Sequence, residues 1–137
     1  MYPGTDIIEI KRISRALEKY PQLKTRLFTE AEITECETRG NPAMSFAGRF
    51  AAKEAILKAL GTGLRGLKWV DIEVVSNCLG QPEVHLSGPA LELAVSLNIY
   101  DVRVSISHTR EMAIAFAMAL TGEEKSESSN SQPDGEN

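Results

Sequence analysis

Glu54, in the run Arg49-Phe50-Ala51-Ala52-Lys53-Glu54-Ala55, and Lys58, four residues further on, share a segment that breaks at Gly61-Thr62-Gly63. A carboxylate, a lysine one turn later and a glycine-rich exit are parts that together can hold a metal ion and a phosphate. The pair alone would also serve as an ordinary exposed ion pair worth roughly 0.3–0.5 kcal/mol, so a chemical role needs partners from elsewhere in the chain. The segment that carries it reads as a helix from Pro42 to Leu60: Asn41 suits the N-cap, Pro42 the first helical position, and Gly61 the stop. At about 100° per residue, Phe46, Phe50, Leu57 and Leu60 fall in one arc and Ala47, Ala51 and Ala55 in another. A helix apolar on most sides is expected to be central. Its polar residues are out of place there, which points to a ligand, and Glu54 and Lys58 at the edge of the alanine arc are expected to find clearance for phosphates.

Other elements follow from period and punctuation. Ile7, Ile8 and Ile10 predict a short buried strand with Asp6 at its start. Lys11 to Tyr20 predicts an amphipathic helix, with Ile13, Ala16, Leu17 and Tyr20 on one face and Lys11, Arg12, Arg15 and Lys19 on the other. Lys24 and Arg26 extend that basic run against Glu18 alone. Thr29-Glu30-Ala31-Glu32 fits a capping box opening a helix to about Arg39. Trp69 to Val75 alternates as a half-buried strand, and Leu79-Gly80-Gln81-Pro82 turns it into Glu83-Val84-His85-Leu86 as a hairpin, with His85 on the strand surface. Gly88-Pro89 opens a helix through Leu97. Val102 to Ser107 alternates again, and His108 sits where that strand ends. Met112 to Leu120 is apolar throughout and is read as a final strand pairing antiparallel with 102–107. The predicted architecture is α+β, a mainly antiparallel sheet packed on a long central helix.

Composition bounds the rest. With 137 residues, 42% of them hydrophobic and 25% charged, the chain suits one domain with a real core, assigned to residues 1–121. Residues 122–137 carry five acids against Lys125 and so account for the whole net charge of −4. That acidic segment offers nothing apolar to bury and is expected to be disordered. Cys36 and Cys78 sit in no metal or disulfide pattern and are expected to be reduced thiols. No apolar run is long enough to span a bilayer, and Met1-Tyr2-Pro3-Gly4 lacks the regions of a signal peptide, so a cytoplasmic location with no membrane partner is expected. The neutral remainder and sparse aromatics argue against nucleic acid.

Gly4-Thr5-Asp6-Ile7-Ile8-Glu9-Ile10-Lys11-Arg12, the Arg49 to Ala55 run with Lys58, Gly61-Thr62-Gly63, and Ser105-Ile106-Ser107-His108 together resemble the holo-[acyl-carrier-protein] synthase family. The resemblance covers nearly all of residues 4–121. It implies a short 4′-phosphopantetheinyl transferase serving fatty acid biosynthesis, which moves phosphopantetheine from coenzyme A to a serine of apo acyl carrier protein and releases adenosine 3′,5′-bisphosphate. By the same resemblance Asp6 and Glu54 hold Mg2+, with Mn2+ as an alternative, and Lys58 holds the departing phosphate. Glu54, Asp6 or a water on the metal would take the serine proton. Gly61, Thr62, Gly63 and His108 would contact coenzyme A, with His108 supplied across a subunit interface of a homotrimer. The acidic carrier makes Arg12, Arg15, Lys19 and Arg26 docking residues, with Phe50 as an apolar contact beside them. The competing reading is a non-catalytic coenzyme A or nucleotide-binding module. At Tyr2-Pro3 the chain departs from the family's usual apolar residue and glycine. Because proline cannot donate to a sheet ladder, the first strand is expected to begin late or lie at an edge.

Overall fold

The computed structural model describes residues 1–122, so the acidic segment expected to be disordered lies, but for Gly122, outside the described residues. Strand β1 (Tyr2–Glu9) leads without a break into α1 (Ile10–Lys19), followed by α2 (Leu23–Leu27), α3 (Glu30–Glu37) and the long α4 (Pro42–Ala59). A 3-10 turn (Trp69–Asp71) precedes β2 (Ile72–Ser76) and β3 (Pro82–Leu86), and α5 (Gly88–Ser96) leads to β4 (Ile99–His108) and β5 (Met112–Thr121). Every strand pair is antiparallel: β1-β5-β4 form one sheet and β2-β3 a separate hairpin. The α+β expectation holds, with its strands divided between these two sheets.

Local chemistry explains most boundaries. The Thr29 hydroxyl accepts from the Glu32 amide while the Glu32 carboxylate accepts from the Thr29 amide, so the capping box is made as read. Asn41 Oδ1 accepts from the Met44 amide at the start of α4. At its other end Gly61 adopts φ +76°, a left-handed conformation natural to glycine. The Gly61 amide then donates to the Lys58 carbonyl and the Thr62 amide to Leu57, closing the helix with paired terminal bonds.

Three readings need correction. Ile10 is the first residue of α1, buried under the helix, so the strand begins at Tyr2 and Asp6 lies inside it rather than at its start. Trp69 to Asp71 form a 3-10 turn because the Asp71 carboxylate accepts from the Lys68 amide and tightens the chain before β2. The short helix α2 was not anticipated. The edge alternative is the one adopted at Pro3: β1 is an edge strand, paired along its whole length with β5.

The core sits where α4 crosses this sheet. Ala113, Ala115, Ala117 and Ala119, alternate residues of β5, face the helix and are buried, as are Ala47, Ala51 and Ala55. Small residues on both sides let helix and sheet approach closely. The approach is tightest at Gly4, where an added Cβ would lie 2.0 Å from the Ala55 carbonyl oxygen and 2.6 Å from the Ala59 nitrogen. The alanine arc is therefore a packing seam and offers no clearance to a ligand, which corrects the expectation drawn from small side chains alone. Gly4→Ala is expected to cost about 1–3 kcal/mol, because backbone atoms cannot step aside. Urea unfolding measures this, and a midpoint equal to the parent's would contradict the seam.

Candidate active site

Strand period two places Gly4, Asp6 and Ile8 on the face of β1 that meets α4. Because Gly4 is pressed against Ala55 and Ala59, Asp6 is delivered beside the same stretch of helix, where Glu54 and Lys58 project. The carboxyl groups of Asp6 and Glu54 lie within hydrogen-bonding reach. Burial first, and the neighbouring Asp6 charge second, hold the Glu54 carboxyl above its usual value of 4.5, while Lys58 and Arg12 oppose that rise. Lys58 does not pair with Glu54. Its Nζ donates to the Thr5 carbonyl at 3.0 Å and lies 3.1 Å from Asp6 Oδ1.

The other polar residues of α4 have a different explanation. Lys53 is fully buried and forms an ion pair at 2.7 Å with Glu32, also fully buried. Its ammonium also donates to the carbonyls of Leu27 at 2.8 Å and Trp69 at 3.1 Å. Glu32 in turn accepts from the amides of Val74 and Thr29. Desolvation lowers the Lys53 pKa and the Glu32 charge opposes that fall. Arg49 donates to the Val74 carbonyl and meets Glu35 at 2.7 Å. The misplaced polarity read from sequence is thus resolved internally at Arg49 and Lys53. Only Glu54 and Lys58 remain facing Asp6.

Elsewhere the expected residues are more dispersed. The Gly61 and Thr62 amides are spent on closing α4, which leaves the Thr62 hydroxyl and the Gly63 amide for any ligand. His108 ends β4 on the inner face and rests over α4 at Gly48, where an added Cβ would lie 2.8 Å from its Nε2. It borders a cleft of about 720 Å³ between the β2-β3 hairpin and β4, lined also by Arg39, Arg49, Ser76, Asn77 and Gln81. Sequence reading missed this cleft, and its one legible signal was the turn at Leu79 to Pro82. Within one chain, His108 and Asp6 belong to opposite edges of the sheet with β5 between them, roughly 10 Å apart by strand spacing alone. Arg12, Arg15, Lys19 and Arg26 are exposed as expected. Phe50 is half-buried and packs on Trp69, ring centroids 5.0 Å apart, so its ring supports the core. His85 is exposed on β3 as expected. Cys36 is buried, which pushes its thiol up to about 11, and Cys78 is an exposed free thiol.

Among the described residues no cluster of three or more His, Cys, Asp or Glu side chains is poised around one point. The protein therefore offers a cation the two carboxylates of Asp6 and Glu54. That donor set suits Mg2+ or Mn2+, hard ions that accept few protein oxygens and fill the remaining positions with water and substrate phosphate.

Similarity to known proteins gives the class to which this small α+β chain, with its converging carboxylates and lysine, belongs. The family model of the 4′-phosphopantetheinyl transferase superfamily matches residues 2–130, and the chain belongs to that superfamily. Its relatives there are holo-[acyl-carrier-protein] synthases. The chain is 53% identical to the holo-[acyl-carrier-protein] synthase of Alkaliphilus metalliredigens over 85% of its own length and 95% of that protein. Its fold is similar to the crystal structure of the Neisseria meningitidis holo-[acyl-carrier-protein] synthase, with TM-score 0.79 and 38% identity over 88% of this chain and 98% of that one. It is also similar to the Helicobacter pylori holo-[acyl-carrier-protein] synthase in complex with coenzyme A, with TM-score 0.76 and 32% identity over 86% of this chain and 99% of that one.

The Glu54 shift has a measurable sign. A carboxyl whose proton affinity is raised by folding contributes stability below its unfolded pKa and loses it as pH rises through the folded value. In cation-free buffer Glu54→Gln is therefore expected to melt above the parent at neutral pH. That gain should vanish below about pH 4, where the parent carboxyl is protonated in both states. Thermal melts with chelator across this range test it, and a variant that melts lower at pH 7 would contradict the crowded carboxylate pair.

Proposed function

We propose that this chain transfers the 4′-phosphopantetheine group from coenzyme A to a serine of apo acyl carrier protein, releasing adenosine 3′,5′-bisphosphate. Membership of the synthase family supports the reaction, and the observation that carries its location is the meeting of Asp6 and Glu54 beside Lys58. Asp6 and Glu54 would hold Mg2+ or Mn2+, which when bound neutralises charge on the pyrophosphate of coenzyme A. Lys58, on an exposed side chain beside them, holds the departing phosphate. The serine oxygen attacks the β-phosphate, and the bond to the adenosine bisphosphate half breaks in line. Glu54, Asp6 or a water on the metal would accept the serine hydroxyl proton. The nucleotide half of coenzyme A is assigned to the cleft beside His108, with the Thr62 hydroxyl and Gly63 amide as further phosphate contacts.

The separation of His108 from Asp6 within one chain supports a site shared between subunits. So does the outer face of the three-stranded sheet, where Ile7 is 58% exposed, Phe116 45% and Ile114 36%. These residues adjoin across β1 and β5, since Ile7 pairs with Ile114 and Thr5 with Phe116. An apolar patch of this kind suits an interface between copies of the chain. A homotrimer is the assembly assigned. Sedimentation equilibrium is expected to give three times the chain mass, and a monomer at assay concentration would contradict it.

Arg12, Arg15, Lys19 and Arg26 present a cationic face to an acidic carrier, and Arg12 also lies close enough to influence Glu54. Docking there would bring the serine toward the carboxylates. Among the described residues no helix is long and apolar enough to cross a membrane, which suits a cytoplasmic site of action; membrane-bound protein on cell fractionation would contradict that site.

The test is to incubate the protein with apo carrier, coenzyme A and Mg2+ and to weigh the carrier by mass spectrometry. A gain of one phosphopantetheine is expected. Asp6→Asn and Glu54→Gln should each lower turnover by roughly a hundredfold or more at saturating Mg2+. Arg12→Glu with Arg15→Glu should raise KM for the carrier about tenfold and leave KM for coenzyme A unchanged. Coenzyme A binding without any mass gain would favour the non-catalytic module instead.

A further inference from the structure

Lys58 already holds one of the Asp6 oxygens that a cation there would use. Its Nζ stands 3.1 Å from Asp6 Oδ1 and is anchored a second time by the Thr5 carbonyl at 3.0 Å. Asp6 is only 13% exposed, so few directions of approach to its oxygens remain, whereas the Lys58 side chain is 58% exposed and free to swing away. Nothing else in the described structure pairs with Lys58, and Glu54, the nearer residue on its own helix, is left without it.

We infer that Lys58 is an exchangeable counter-ion of Asp6: cation and ammonium compete for the same carboxylate, and arrival of a substrate phosphate releases the lysine and opens Asp6. This rests on the two-carboxylate reading above and adds a coupling to it. Cation and diphosphate each strengthen the other's binding through Lys58, because the phosphate draws off the group that blocks the cation. The site then fills with both together and holds a bare cation weakly.

The measurement uses Mn2+ alone, without nucleotide or carrier, with free ion counted by electron paramagnetic resonance. Lys58→Met is expected to bind Mn2+ roughly three- to fivefold more tightly than the parent, the range an exposed ion pair commands. Lys58→Arg, which keeps a cation within reach of Asp6, should match the parent. Arg12→Gln also removes a positive charge near Glu54 but has no contact with Asp6, and should tighten binding less than Lys58→Met. Asp6→Asn should abolish binding. Unchanged or weaker binding in Lys58→Met, with binding still dependent on Asp6, overturns the exchange alone. Equal tightening in Arg12→Gln also overturns it, by showing a general field in place of a contact. Binding indifferent to Asp6→Asn overturns the two-carboxylate site and the exchange with it.

Discussion

The close approach of β1 to α4 at Gly4 is the constraint on which the site depends. Hydrophobic burial favours packing the alanine face of β5 against the alanine arc of α4, and a residue without a side chain at position 4 lets the edge strand follow. Two residues further along the same face, strand period two puts a carboxylate where any apolar side chain would pack more cheaply. Asp6 is held against Glu54 by backbone geometry that neither carboxylate favours. The raised proton affinity of Glu54 records its burial first and the neighbouring Asp6 charge second.

A second constraint fixes which face of α4 does so. Lys53 and Arg49 are drawn into the protein by Glu32 and Glu35 of α3, and both clusters bond to the backbone of β2. Burying a lysine is costly unless its charge and hydrogen bonds are matched, and here one carboxylate and two carbonyls match them. The helix is thereby tied on one side to α3 and the hairpin. Glu54, next in sequence to Lys53, projects toward β1. Structural and chemical residues thus interleave along a single helix, and the division between them is set by partners outside it.

That division explains what was legible in the sequence. Patterns carried by neighbouring residues read correctly: the capping box at Thr29, the N-cap at Asn41, the stop at Gly61 and the alternation of β4. The β1 to α1 junction did not, because Ile10 is apolar in either state and the chain turns from strand to helix without a loop. The alanine arc gave its size but not its partner, so clearance for a ligand was read where β5 packs. Likewise Glu32 and Lys53 are 21 positions apart, and no local pattern links them. The resemblance to a known family supplied Asp6 and His108, whose immediate surroundings in sequence are unremarkable. It could not reveal that the Gly61 and Thr62 amides are already committed to the end of α4.

The proposed reason for the convergence of Asp6 and Glu54 is one shared divalent cation. Crystals soaked in Mn2+ together with coenzyme A and measured near the manganese absorption edge address it directly. A single anomalous peak per chain beside Asp6 and Glu54 is expected, with Lys58 moved off Asp6. A peak elsewhere, or none, with Lys58 still on Asp6, would contradict it.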